Sequence, residues 1–373
     1  MTKVAFTVTN CICYDQRVLK MAESVSRLNC TITIIGRRLG DCCNSESVPY
    51  KTKRFKMLFK RGFLFYSSFN MRLFFYLLFH RFDLIVANDL DTLLPGFLIS
   101  KLKRVKLVYD SHEYFTGLPE IQERRFVKYV WTNIERVIFP GLKYVITVSE
   151  PIASLYTDMY GIRPVVIRNL SKNADLITPF LHSDLGVDLK DILLVIQGTG
   201  INIDKGAEEL IDALSMTEGI SLLVIGSGDI IYMIKKKVGE LKIAEKVKFI
   251  PTVPWNILMK YTKSADIGMC LEKDTNLNYR YCLPNKLFDY ISAGIPVIAS
   301  NLPETRKIII DNNCGIIIDM VTPGAIVKSL DDLKMKPDML TEFRRNAKIA
   351  AKSLNWETES KKVEDLYKLI LSV

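Results

Sequence analysis

An α/β fold of two doubly wound domains is what this sequence predicts, and three observations predict it. Short apolar, β-branched runs alternate with amphipathic helical stretches along the whole chain, the pattern that gives parallel sheets covered by helices. The runs form two series, one in each half, with a polar stretch between them. At 373 residues the chain is also too long for one ordinary core and fits two domains of about 150 to 200 residues each.

The first series places strands at residues 4–8, 31–35, 84–86, 106–108, 144–148 and 165–167. The second places them at 192–196, 221–225, 247–250, 266–269, 296–299 and 315–318. Residues 169–191 are polar, contain a proline and lack a period, so they are expected to link the halves. Helical stretches follow at 323–333, 338–353 and 356–371, the last with Val363, Leu366, Tyr367 and Ile370 on one face. The expected domains are therefore 1–169 and 170–355, with a final helix at 356–373. Doubly wound sheets bind ligands at the carboxyl ends of their strands, so two facing halves are expected to share a cleft.

Composition narrows the class of protein. The chain is 49% hydrophobic and 25% charged, which lets both halves bury a core. A net charge of +10 points to an anionic partner: nucleic acid, phosphate-rich ligand or acidic lipid. The eight cysteines form no Cys-x-x-Cys unit and only three histidines accompany them, so no metal site is expected. The apolar run at residues 4–8 is too short for a signal peptide. A cytoplasmic protein with reduced thiols is the expectation.

Residues 51–82 carry Lys51, Lys53, Arg54, Lys56, Lys60, Arg61, Arg72 and Arg81 among many aromatic residues and no acid before Asp83. Their longest uncharged stretch, 62–71, is too short and too polar to span a bilayer. Basic residues flanking an aromatic face suit an in-plane membrane contact, since cations meet lipid phosphates while rings sit at the interface. The plainer alternative is a buried helix at 73–79 with a solvated basic entry. The positive charge gathers beside aromatics in one segment and no nucleic-acid motif occurs, so no nucleic-acid partner is expected.

Three motifs in the second half suit phosphate binding. The loop from Gln197 through Gly198 and Gly200 to Lys205 and Gly206 joins a strand to a helix. Its glycines let backbone approach a phosphate, and Lys205 can neutralise a diphosphate. A second turn, with Gly226 and Gly228, ends the next strand. Third, Pro284-Asn285-Lys286 opens a helix that Gly294 closes, and Asp289 shares a face with Asn285, placed to accept from ribose hydroxyls. In the first half, Asp89 and Asp91 follow one strand and Asp110-Ser111-His112-Glu113 follows another. His112 is suited to hydrogen-bond a substrate hydroxyl or phosphate. Asp15 and Arg17 lie at the turn after the first strand, where Asp15 can serve as a helix N-cap.

These residues resemble the retaining glycosyltransferases of the two-domain GT-B fold, family 4, in particular the bacterial surface-polysaccharide type. The resemblance runs through Asp15-Gln16-Arg17-Val18, Asn88-Asp89-Leu90-Asp91-Thr92, Asp110 to Phe115, Thr147 to Glu150, Gln197 to Gly206, Gly226 to Gly228, Ser264 to Ile267 and Leu283 to Val297. It implies a UDP- or GDP-linked sugar held by the second domain and an acceptor on the first, a glycan or polyprenyl-diphosphate-linked saccharide. It also implies transfer with retention, no metal, and a place on the inner face of the membrane. By position, Lys205 looks like the residue that holds the diphosphate, Asp289 the one that holds the ribose, and His112, with Asp89, the one beside the transferred sugar. Thr252 lies in a segment similar to the loop bordering the nucleobase, and the last helix is expected to cross back to the first domain. Tyr281 stands where many relatives carry the first of two glutamates. A nucleotide-sugar 2-epimerase, which shares this architecture, and a non-catalytic nucleotide-sugar scaffold are the competing readings.

Overall fold

The computed structural model describes residues 1–13, 15–38, 48–188 and 190–372. Two of the eight cysteines, Cys42 and Cys43, lie outside them. The chain divides into two compact units, Met1–Asn169 with Glu359–Val373, and Leu170–Thr358.

In the first unit the elements run β1 (Thr2–Thr7), α1 (Gln16–Ser26), β2 (Cys30–Arg38), β3 (Lys51–Lys56), α2 (Gly62–Phe79), β4 (Leu84–Asn88), α3 (Leu90–Lys103) and β5 (Lys106–Ser111). They continue with α4 (Pro119–Gln122), α5 (Arg125–Ile138), β6 (Tyr144–Thr147), α6 (Glu150–Tyr160) and β7 (Val165–Val166). The strands form one sheet of order β3-β2-β1-β4-β5-β6-β7, and every pairing is parallel. The order reverses between β1 and β4, the point where an open sheet leaves a crevice at its carboxyl edge.

In the second unit the elements are β8 (Ile192–Gly198), α7 (Ala207–Ser215), β9 (Ile220–Gly226), α8 (Ile231–Glu240), β10 (Val247–Ile250), α9 (Trp255–Ser264), β11 (Ile267–Cys270), α10 (Leu277–Tyr281) and α11 (Asn285–Ala293). After them come β12 (Val297–Ser300), α12 (Pro303–Asn312), β13 (Gly315–Ile318), α13 (Pro323–Met335), α14 (Pro337–Ala351) and α15 (Trp356–Ser372), which ends in the first unit. The sheet order β10-β9-β8-β11-β12-β13 is again parallel and reverses between β8 and β11. Strand residues such as Leu193, Leu194, Val195 and Ile196 are buried on both faces, as expected of a sheet with helices on each side.

Residues 170–188 follow the boundary between the units, and Leu170, Ala174 and Leu185 there are buried in the core of the second unit. They form an irregular strap, which leaves no period to read. Two expectations need correction. Residues 51–82 are not one in-plane element. Lys51–Lys56 is the edge strand β3, pairing with Thr33 to Arg38, and only Phe55 among its side chains is fully buried. Charged side chains on a sheet edge are a common protection against further pairing. On α2, Phe65, Phe69, Leu73 and Leu77 are buried at four-residue spacing, while Phe63, Met71, Phe75 and Phe79 form an exposed apolar row. The expectation of reduced thiols also fails at the loop after β1, where Cys11 and Cys13 are each disulfide-bonded, whereas Cys30, Cys270, Cys282 and Cys314 are thiols.

Candidate functional site

The first unit gathers its polar residues at the reversal between β1 and β4. Arg17, on the first turn of α1, makes a two-pronged contact with Asp110 at the end of β5, with Nη2 2.6 Å and Nε 3.1 Å from the carboxylate oxygens. Both side chains are buried, so the charges must satisfy each other, and Nη1 is taken by the Ile167 carbonyl at 2.9 Å. Asp15 caps α1 by accepting from the Val18 amide at 3.1 Å.

His112 meets Asp89 here. Its Nδ1 lies 3.2 Å from Asp89 Oδ2 and its backbone N–H donates to Asp89 Oδ1 at 2.9 Å. Its Nε2 lies 3.3 Å from Asn88 Oδ1 and 3.6 Å from Asp110 Oδ2. Acceptors at both ring nitrogens favour the doubly protonated ring. Burial pulls the imidazole pKa down, yet the charge of Asp89 and the hydrogen bond and charge of Asp110 prevail and raise it to about 9. Burial also presses on Asp110, but Arg17 and His112 hold its carboxyl well below the usual range. Asp89 has φ +61° and ψ 166°, a backbone state that costs a non-glycine residue on the order of 1–3 kcal/mol and persists only where neighbours enforce it. The His112 amide bond and the bond from the Asp89 amide to the Asp110 carbonyl, 2.9 Å, do so.

Asp91, on the first turn of α3, accepts a hydrogen bond from Thr9 through Oδ2, while its Oδ1 is buried with no hydrogen-bond partner. Burial, followed by the charge of Asp89, raises its pKa to about 7. The sequence singled out the acids, and Asn88 within the motif from Asn88 to Thr92, but not Thr9, a small polar residue just past a strand end.

In the second unit the three expected turns come together. Gly198 and Gly226 pair in register, Ser227 N–H donates to the Gly198 carbonyl at 3.0 Å, and Ile201 N–H donates to the Ser227 carbonyl at 3.0 Å. A Cβ on Gly226 would lie 1.9 Å from the Gly198 oxygen, and one on Gly228 2.0 Å from the Ile201 oxygen, so only glycine fits at either place. Thr199, Gly200 and Ser227 remain exposed at the surface of this edge.

The Pro284 turn joins them through α11. Asp289 Oδ2 accepts from Gln197, the residue before Gly198, at 3.0 Å, and Oδ1 accepts from Ser171 at 2.6 Å and Trp255 Nε1 at 3.2 Å. Gln197 in turn accepts from Thr262 at 2.7 Å. Lys286 lies 2.8 Å from the buried carboxylate of Glu272, just past β11. Lys205 sits with its ammonium 4.5 Å from the centre of the Tyr279 ring. Asn285 is exposed at the start of α11. The first turn of α11 holds no acid, whereas α7, after the Lys205 loop, holds Glu208 and Glu209. Acids already complement the start of α7, so the start of α11 is the better place for a further anion.

Beside the Gly226 turn opens a hollow lined by Val224, Gly226, Ile231, Lys235, Phe249, Ile250 and Pro251, and the neighbouring Thr252 hydroxyl donates to Ser227 Oγ at 3.3 Å. Glu272, Tyr279 and Trp255 are the members of this edge that sequence reasoning missed. Glu272 carried the same signal as Asp89 and Asp110, an acid directly after an apolar strand.

Comparison with known proteins agrees with this architecture. Residues 16–170 match the family described as Glycosyltransferase Family 4, and residues 180–350 match Glycosyl transferases group 1. No curated protein sequence matches the chain. Among solved structures, sucrose-phosphate synthase from Thermosynechococcus elongatus superposes with a TM-score of 0.82 at 16% identity, covering 100% of both chains. HepE from Anabaena, in complex with UDP-glucose, gives 0.78 at 16% identity over 99% of this chain and 100% of its own. WaaG, a glycosyltransferase involved in lipopolysaccharide biosynthesis, gives 0.76 at 15% identity over 97% and 99%. The fold is GT-B, with two Rossmann-like parallel-sheet domains.

Proposed function

We propose that this chain, built from a Family 4 half and a group 1 half, transfers a sugar from a nucleotide diphosphate donor to an acceptor with retention of configuration. One observation carries the reading: the turns at Gly198, Gly226 and Pro284 meet on one sheet edge in the second unit, with Lys205 and Lys286 beside them. A departing nucleoside diphosphate develops negative charge, and fixed cations with a helix start stabilise it without solvent reorganisation. Those lysines support metal-independent transfer. The hollow beside Phe249 and Pro251 suits the base, with Thr252 at its border, and Asp289 suits the ribose as a carboxylate held beside the first glycine turn. HepE, of the same fold, is described in complex with UDP-glucose, which favours a UDP- or GDP-linked donor here.

The acceptor falls to the first unit, with His112 and Asp89 beside the reacting sugar. Because His112 is held doubly protonated, we assign it the stabilisation and orientation of oxygens on the transferred sugar rather than the removal of a proton. The acceptor we infer is a glycan or polyprenyl-diphosphate-linked saccharide of surface-polysaccharide, or capsule, assembly. WaaG, which shares the fold, is described as acting in lipopolysaccharide biosynthesis. Among the described residues no helix is long and apolar enough to cross a membrane. The exposed row Phe63, Met71, Phe75 and Phe79, next to Lys60 and Arg61, suits a peripheral contact on the cytoplasmic face.

The deciding experiment incubates the protein with radiolabelled UDP- and GDP-sugars, with and without lipid-linked acceptors, and reads product anomers by NMR. Acceptor-dependent transfer with the donor's anomeric configuration is expected. Conversion of the donor sugar with no acceptor present would overturn the transferase reading in favour of epimerisation.

A further inference from the structure

We propose that Glu272 is a positioning residue for the donor phosphates: a buried counter-charge that holds the Lys286 ammonium at the edge where the glycine turns meet. The proposal rests on the donor reading above.

Glu272 follows β11 directly, at the reversal point of the second sheet, and its side chain has no exposed surface. Lys286 Nζ, 2.8 Å away, has a side chain only 12% exposed. The second carboxylate oxygen accepts from the Cys270 thiol at 3.3 Å. Lys205 acts on the same carboxylate electrostatically, and the two lysines together outweigh burial and draw its pKa down to about 2. The loop carrying Lys205 is pressed against this segment, with the Lys273 amide bonded to the Asp204 carbonyl at 2.9 Å, and a Cβ on Gly206 would lie 2.4 Å from Leu271 Cβ.

A lysine so far removed from water needs an anion beside it, since a buried unpaired charge is costly. Glu272 supplies that anion from behind. Lys286 and Lys205 act electrostatically on Glu272, and Glu272, Lys286 and Cys282 act on Cys270. Among the described residues, Glu272 alone has an ion pair with Lys286.

The test measures binding of UDP, of GDP where UDP does not bind, and of the matching nucleoside, by calorimetry at pH 6.5 and pH 9. Glu272→Gln keeps the shape and removes the charge. Its diphosphate affinity is expected to fall by about tenfold or more at both pH values, as Lys286 loses the group that holds it, while nucleoside affinity stays unchanged. Lys286→Met should be weak at both pH values, and adding Glu272→Gln to it should weaken binding no further. Glu272→Asp, which retracts the charge but keeps it, should restore diphosphate affinity and serves if the Gln variant does not fold. A Glu272→Gln protein that is less stable yet binds diphosphate with wild-type affinity, or a double variant whose losses simply add, would overturn the proposal alone. Failure of the wild type to bind either diphosphate would instead sink the donor reading and this proposal with it.

Discussion

Gln197 donates its side-chain amide to Asp289 across 3.0 Å, so the strand that ends in the first glycine turn is tied to the helix that begins at the third. The sheet register joins the first and second turns, and this bond adds α11. Three separate stretches of sequence thereby share one edge.

Asp289→Ala leaves the donors on Gln197, Ser171 and Trp255 without their acceptor. Each lost partner of a buried group costs on the order of 1 kcal/mol or more, so a loss of about 2–4 kcal/mol is expected in urea denaturation. Nucleoside diphosphate affinity should fall as well. Unchanged affinity in a destabilised variant would confine Asp289 to a structural role.

Gly226→Ala places a methyl group 1.9 Å from the Gly198 oxygen at a φ of +123°. The two turns must separate to admit it. Expected are a stability loss of at least about 2 kcal/mol and donor binding too weak to measure, whereas Gly239→Ala, with nothing nearby, serves as a neutral control.

Lys205→Ala removes a cation beside the diphosphate position without touching the core. Donor binding or transfer should weaken by about ten- to a hundredfold with melting temperature held. Unaltered kinetics would remove Lys205 from the site.

His112 and Asp91 both lower stability as pH rises, in successive windows. The His112 pKa is raised from 6.5 to about 9, so its stabilisation is complete below pH 6.5 and disappears as pH climbs through about 9. Replacement by Asn should therefore cost on the order of 2 kcal/mol at pH 6 and little at pH 10. The Asp91 pKa is raised from 3.8 to about 7, so ionising it costs stability progressively between those values. Asp91→Asn should gain on the wild type, by on the order of 2–3 kcal/mol, between pH 4 and pH 8. Denaturation midpoints across that range, moving the other way, would refute either assignment.

Replacing Phe63, Met71, Phe75 and Phe79 together by Ser removes the exposed row of α2 and none of its buried stripe. Cosedimentation with vesicles rich in anionic lipid should fall at least about tenfold while the fold holds. Full retention would dismiss this face as the membrane contact.

The two-sheet architecture was legible because parallel strands buried on both faces read as apolar runs, and helices with Pro or Asp at their starts and Gly at their ends punctuate them. Gly294, expected to close α11, does so at φ +71°. The edge strand β3 was not legible, since Lys51, Lys53, Arg54 and Lys56 hide it behind charge. The strap at 170–188 carried no period. In the site, glycines and lysines declared themselves through motif spacing, whereas Glu272 and Trp255 depend on contacts made across the sheet, which spacing along the chain does not encode.

The final helix has a bearing on how the molecule is made. Val363, Tyr367 and Ile370 are fully buried, Lys106 bonds the Ile370 carbonyl at 2.8 Å, and these residues belong to the unit that opens the chain. On the ribosome residues 1–169 therefore emerge before the second unit yet lack part of their interior until residues 363–370 have been translated. The second unit can close before the first is complete, so a nascent chain stalled before residue 363 would expose the unfinished side of the first unit.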